Sequence, residues 1–294
     1  MTSLTKKIDF VLFFSVTGAN PNGDPLNGNR PRTDFENFGE MSTECFKRKV
    51  RNRMQDLGYE IFVKSADRAN DGFESLKDRF EGAFSDLLKK KKKTIEDREE
   101  LFNKVCAKWL DVRTFGSVFA FKSSKDAGSD GDAGTSIGVR GPVTINNIIS
   151  VDPIEVLSYQ ITKSVNGETV NGGKSSDTMG TKHLVKFGLY QVKGSINVQL
   201  ASKTGFSDED AEIFKKCLLT VFTNDCSSAR PDGSMVVEKL YWFTHDNSCQ
   251  YPAYKVHQAC KVALKEGIVD PVSVDDYNIS LDNSEIIGLK YEEY

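Results

Sequence analysis

Residues 8–16, IDFVLFFSV, put Ile8, Phe10, Leu12, Phe14 and Val16 on one side of an extended chain and Asp9, Val11, Phe13 and Ser15 on the other. Alternation this strong specifies a core strand with one fully apolar face. The stretch that follows, GANPNGDPLNGNRPRTD at 18–34, has almost nothing to give a core. After it, STECFKRKVRNRMQDLG places Phe46, Val50, Met54 and Leu57 at helical spacing. Ser42 or Thr43 can cap this helix, and Gly58 stands where it should stop. A core strand joined to an amphipathic helix through a long polar loop limits the chain to folds that pack helices on a sheet.

The rest of the chain repeats the theme. Phe73, Leu76, Phe80, Phe84 and Leu87 mark a second helix; Leu101, Phe102, Val105 and Trp109 mark a third, with Thr94 and Asp97 as its capping box. DVRTFGSVFAFKS and GVRGPVTINNIISVDPI are expected to be strands, split by the polar SSKDAGSDGDAGT. SYQITKSVNGETVNGGKSSDTMGTKH, with Asn-Gly at 166–167 and 171–172, is expected to be a hairpin arm. An extended stretch over 184–201, a capped helix from Ser207 and the strand SMVVEKLYWFTH complete the pattern. Without its insertions the order is strand, helix, strand, strand, helix, strand. That is an α+β chain of ferredoxin-like, or RRM-like, type.

Composition excludes several classes. An apolar content of 38% over 294 residues sustains a core, and no run approaches the roughly 18 apolar residues of a membrane span. A cytoplasmic protein with no membrane association is expected, and its six scattered cysteines read as thiols. GETVNGGKSS fails as a phosphate loop because Glu168 stands where that motif needs glycine. His245, Cys249, His257 and Cys260 lack the close pairs of a zinc site, so a partly buried cysteine and surface histidines are expected instead. Asp126, Asp130 and Asp132 lack the further ligands of a calcium loop. No catalytic residue, metal or cofactor is expected.

The charge distribution is more informative than the net charge of −3. Lysine and arginine are dense from Met41 to Arg113, with Lys89–Lys93 consecutive, while the chain after Lys265 is mostly acidic. The first helix carries Lys47, Arg48 and Arg51 opposite its apolar face, and is entered from the Asn/Gly/Arg loop. Arg113, Phe115 and Arg140 lie next to glycines, where backbone can be approached closely. Together these describe a track for phosphates.

NPNGDPLNGNRPRTD, CFKRKVRN, DVRTFGSV, VRGPVTI and DTMGTKHLVKFGLY occur in this order. In them the chain resembles the backbone subunit of subtype I-C Cascade, of the Cas-seven family within the RAMP superfamily of CRISPR surveillance proteins. The resemblance implies one RRM-like palm domain over 1–294 with three insertions: a web loop at 18–40, helical fingers at 58–111 and a β-hairpin thumb at 158–183. It implies a non-enzymatic subunit, several copies of which stack helically along one guide RNA (crRNA) that pairs with target DNA in antiviral defence. Partners implied are other Cascade subunits (a large or five-family cap subunit and a small subunit) and a recruited helicase-nuclease. Carried over by position, Lys47, Arg48 and Arg51 contact guide phosphates, and Asn20, Asn22, Arg30 and Arg32 approach RNA or a neighbouring subunit. Arg113, Phe115, Arg140 and Gly141 lie beside the same strand. Lys182 and His183 hold backbone at the base of the thumb, though His183 also reads as an ordinary surface histidine. Met179 reads either as a wedge at a displaced nucleotide or as hinge packing. The acidic C-terminal region is expected to face a neighbour's basic fingers.

Two alternatives stand beside this. An RNA endonuclease of RAMP type needs an aspartate near RNA, such as Asp24, Asp34 or Asp126. A structural adaptor would use its sheet and tail for protein contacts alone.

Overall fold

The computed structural model describes residues 2–88, 94–120, 136–162, 169–170, 173–174, 179–246 and 250–294. The lysine run, Asp126, Asp130 and Asp132, both Asn-Gly turns and Cys249 lie outside them.

In chain order, β1 (Ile8–Ala19) leads through β2 (Gly23–Asp24) and β3 (Arg30–Pro31) to β4 (Phe38–Met41) and helix α1 (Thr43–Asp56). Helices α2 (Leu76–Leu88), α3 (Ile95–Lys108) and α4 (Leu110–Phe115) follow, then a hairpin of β5 (Gly116–Ala120) and β6 (Ser136–Arg140). β7 (Val143–Ile145), β8 (Ile148–Pro153) and β9 (Val156–Thr162) come next, with the short β10 (Thr169–Val170) and β11 (Gly173–Lys174). The 18-residue β12 (Met179–Ile196) leads into α5 (Val198–Thr204), α6 (Asp208–Leu219) and β13 (Met235–Thr244). α7 (Ala253–Ala259), β14 (Cys260–Leu264), β15 (Tyr277–Leu281) and β16 (Lys290–Glu293) end the chain.

One eight-stranded antiparallel sheet has the order β16-β13-β1-β12-β8-β4, with β7 and β9 also paired to β12. Both faces of β1 are buried. Phe10, Leu12 and Phe14 pack with Phe46, Val50 and Met54 of α1 and Phe214 and Leu218 of α6. Val11 and Phe13 pack with Phe187, Leu189, Tyr241 and Phe243 under Val256, Tyr277 and Leu289 of the C-terminal segment. The second face of the first strand is mixed, with Asp9 and Ser15 buried beside Val11 and Phe13, and its apolar part is covered from residue 256 onward.

A third core belongs to the insertion. Phe62 packs at a tilt against Trp109 (ring centroids 4.6 Å) and Phe119 (4.9 Å), with Phe80, Leu101, Val105 and Val112 around them. Ile137 and Val139 complete it, so this packing unit reaches past residue 111 into the β5–β6 hairpin.

The structure alters the sequence reading in three places. DVRTFG is helical, because Asp111 is fully buried and accepts hydrogen bonds from the backbone N–H groups of Phe62 (2.6 Å) and Val63 (3.1 Å). The β5–β6 hairpin stands outside the main sheet, where β12 is flanked by β1 on one side and by β7, β8 and β9 on the other. The extended stretch expected to run to residue 201 stops at Ile196, where Asn197 caps α5 by accepting from Leu200 N. The arm is a direct extension of the sheet, with β9 paired to β12 from Val156↔Val185 to Thr162↔Met179.

Candidate nucleic-acid interface

α1 is placed by its N-terminus. Ser42 Oγ accepts from Cys45 N at 3.1 Å, and Ser42 N donates to Asn22 Oδ1 at 2.9 Å. The polar loop thus caps the helix that follows it. Asn20 is 3% exposed and donates to Asn29 O at 2.7 Å. Both asparagines brace the loop rather than project from it.

The basic face of α1 divides into committed and open groups. Arg51 Nε donates to buried Asp111 at 2.9 Å, which fixes its guanidinium 5.1 Å above the ring of Phe115. Lys47 Nζ lies over the same ring at 5.7 Å. Burial, and then the neighbouring charge of Arg51, lower the pKa of Lys47. Two cations on one aromatic face favour an anion beside them. Arg48 turns inward and donates to Val63 O at 2.5 Å; burial pulls its pKa down to about 10. Lys49, on the core side, is held in a buried pair by Asp225, which Arg230 also contacts at 3.3 Å.

Phe115 ends α4 against Gly141. A Cβ on Gly141 would meet Phe115 C at 2.3 Å and Thr114 O at 2.4 Å, so only glycine permits this approach. Arg140, next to it, pairs with Gly116 through the β5–β6 ladder, and its side chain is exposed with no hydrogen bond or ion pair among the described residues. Arg113 points elsewhere: Nε and Nη2 make a bidentate pair with Asp210 at 2.9 and 2.8 Å. Lys47, Arg51 and Phe115 therefore form one cluster, with Arg140 exposed where β6 ends beside it, while Arg48 and Arg113 are withdrawn into structure.

A second cluster lies where the loop meets the arm. Arg30 Nη1 contacts Ser158 Oγ at 3.1 Å and His183 Nδ1 at 3.3 Å, and Ser158 Oγ lies 2.9 Å from the same nitrogen. Arg30 can only donate, so Nδ1 is the acceptor of this contact. Beside it is a polar notch of about 210 Å³ lined by Asp24, Asn27, Arg30, Arg32, Thr33 and Asn37. Arg32 pairs with Asp24 at 3.4 Å. Lys182 stands opposite Tyr159 on the other face of the arm, and Met179 is 66% exposed, with Gln160 Nε2 at 3.1 Å from its sulfur.

Asp24 and Asp34 both brace turns. Asp24 Oδ1 accepts from Leu26 N, and Asp34 Oδ1 accepts from Glu36 N and Phe38 N. Among the described residues no three carboxylate, imidazole or thiol groups converge to hold a metal ion. His245 and His257, expected at the surface, are 1% and 6% exposed. His245 Nε2 donates to Asp9 at 2.7 Å, and His257 Nε2 donates to Gly194 O at 3.0 Å. Burial alone would push the Asp9 carboxyl up; hydrogen bonds from His245, Lys7 and Ser195 outweigh it and hold it below the usual range.

The sequence reading missed Asp111 and Asp210, which decide which arginines stay open, and Ser158. An aspartate set between the apolar Leu110 and Val112 was the available signal for Asp111.

A mixed α/β molecule with a large antiparallel sheet and a loop-capped basic helix is the class these observations define. Residues 6–282 match the family described as CRISPR-associated protein Cas7, and the chain belongs to that family. A CRISPR-associated protein Cas7 from Haloferax volcanii is 25% identical over 219 residues, covering 72% of this chain and 62% of the relative. The chain thus matches less than two thirds of that relative's length. Among solved structures, a chain of a pre-nicking CRISPR RNA-guided surveillance complex is similar at 15% identity and a TM-score of 0.46, covering 81% of this chain and 78% of that one. A chain of another CRISPR RNA-guided surveillance complex is similar at 14% identity and a TM-score of 0.43, over 81% and 68%. No helix of the described residues is long and apolar enough to cross a membrane.

Proposed function

We propose that this Cas7-family chain is the crRNA-binding backbone subunit of a subtype I-C surveillance complex. In this reading it polymerises along the guide, presents it for pairing with target DNA and catalyses no reaction. Its partners are then copies of itself, a large or five-family cap subunit, a small subunit and a recruited helicase-nuclease. The sheet order β13-β1-β12-β8, with α1 and α6 on one face, supports reading the palm as ferredoxin-like.

The single observation that carries the reading is the pair Lys47 and Arg51 over Phe115, beside exposed Arg140 and the Gly141 approach. It supplies positive charge and an aromatic face, with no base-reading set around it among the described residues. Such a site holds a phosphate backbone and is indifferent to sequence. The outer face of the sheet is closed by the C-terminal segment, so RNA runs along the α1 and loop side. Asp24 and Asp34 are already used within their turns, which is why a non-catalytic role is preferred here.

The test is co-expression with a CRISPR array, followed by absorbance at 260 and 280 nm and sizing of the extracted RNA. A nucleic-acid-rich ratio with one protected length per number of subunits supports the proposal. Nucleic-acid-free protein, or regularly spaced RNA fragments appearing on addition of Mg²⁺, contradicts it.

A further inference from the structure

The helical insertion meets the rest of the molecule at two crossings between separate apolar cores. Ile61 packs in the core shared by β1 and α1, and its neighbour Phe62 in the core of the insertion. Leu110 and Trp109 divide in the same way. Between the crossings lies the fully buried carboxylate of Asp111, which accepts from Phe62 N at 2.6 Å, Val63 N at 3.1 Å and Arg51 Nε at 2.9 Å. The carbonyls of the same two residues are held as well. Arg79 Nη1 donates to Phe62 O at 3.0 Å, and Arg48 Nη2 donates to Val63 O at 2.5 Å. All four backbone polar groups of Phe62 and Val63 are thus gripped by ionised side chains, the strong kind of hydrogen bond. A shift on one side of this joint must therefore be felt on the other.

Arg79 is buried and is fixed in turn by Asp71, with Nε at 2.7 Å from Oδ2 and Nη2 at 3.1 Å from Oδ1. The same guanidinium holds the Asp71 carboxyl well below the usual carboxylate range. Lys64 Nζ also meets Asp71, at 3.0 Å. An unbroken chain of charge-assisted hydrogen bonds runs from Asp71, just before α2, through Arg79, the Phe62–Val63 backbone and Asp111 to Arg51 over Phe115. Helix α4 spans the same distance a second way. Its Val112 belongs to the insertion core, and its last residue, Phe115, is the ring of the basic cluster.

We propose that Asp71 and Arg79 are remote positioning residues for the basic cluster, and that the insertion and the RNA site are coupled through the Phe62–Val63 joint. RNA held by Lys47 and Arg51 then tightens the insertion, and anything that tightens the insertion raises RNA affinity by the same factor. The RNA half of this inference rests on the functional reading above; the mechanical link between Asp71 and Phe115 does not.

The test is Asp71→Asn in the full chain. It deletes a negative charge, so electrostatics alone predicts tighter binding of RNA, whereas a loosened Arg79 predicts weaker binding. Affinity for a single-stranded oligouridine should fall at least about threefold with its salt slope unchanged, since no phosphate contact is lost. A 4-fluorophenylalanine at position 115 supplies a readout without RNA. Asp71→Asn should shift or split its fluorine resonance, while Ile95→Ala, at a 77% exposed position of the same insertion, should leave it in place. If Asp71→Asn lowers the melting temperature, Arg79→Lys takes its place, because it keeps the charge and loses the bidentate pair; it must move the same resonance. Equal or tighter RNA binding by folded Asp71→Asn overturns the inference, as does a resonance that stays put or that Ile95→Ala moves equally. A parent chain that binds no RNA defeats the functional proposal, and the fluorine resonance then decides the link alone.

Discussion

Arg113 and Lys47 look alike in the sequence as basic residues near a glycine or a loop, yet the structure uses them differently. Arg113 is a bidentate partner of Asp210, which is 2% exposed, so Arg113→Ala leaves a carboxylate buried and unpaired. We expect a loss of about 3 kcal/mol in denaturant unfolding. Lys47→Ala removes a cation that makes no ion pair among the described residues and should change stability by less than about 0.5 kcal/mol. Arg51→Glu is a poor probe of binding, since it sets a second carboxylate against buried Asp111. Titration adds a second expectation at this scale. Burial lowers the pKa of His257, so below its ordinary value of 6.5 the unfolded chain takes up a proton that the folded chain resists. Stability should be full above pH 6.5 and fall as pH drops below it, and denaturation of His257→Gln at pH 5.5 and 7.5 should show a smaller difference than the parent.

Among elements, α1 depends on the loop before it. Ser42→Ala removes an N-cap and should cost about 1 kcal/mol, read in the same unfolding experiment. Thiol chemistry reports on element packing. Burial pushes Cys106, Cys217 and Cys260 up to about 12, whereas Cys226 is exposed. An alkylating reagent at pH 8 should therefore label Cys226 quickly and leave those three silent until the chain unfolds. The elements written in local periodicity were legible in the sequence. These are the alternating β1, the Ser42, Thr94 and Ser207 caps, and the apolar stripes of α1 and α3. What was not legible depended on distant partners. DVRTFG has strand-like residues, but Asp111 ties it as a helix to the backbone of Phe62 and Val63, about fifty positions away. Val11 and Phe13 gave no sign of what covers them, because the cover comes from beyond residue 250. At the site, the sequence supplied the basic residues but not which of them face carboxylates, and that pairing decides which remain open.

For the molecule as a whole, the central claim is that an acidic chain binds RNA through one local cluster. Net charge of −3 does not oppose this, because the cluster of Lys47, Arg51, Phe115 and Arg140 faces away from the closed side of the sheet. Phosphate neutralisation releases counterions, so affinity should fall steeply with salt and vary little with base sequence. The most direct measurement is the affinity of the full chain for single-stranded RNA across a salt series, compared with Lys47→Glu combined with Arg140→Glu. Neither substitution touches an ion pair among the described residues, so the variant should keep the parent's melting temperature. Our account predicts that its affinity drops at least about a hundredfold at low salt and that its salt slope is shallower by about two phosphate contacts. A folded double variant that binds RNA with the parent's affinity and slope would contradict it.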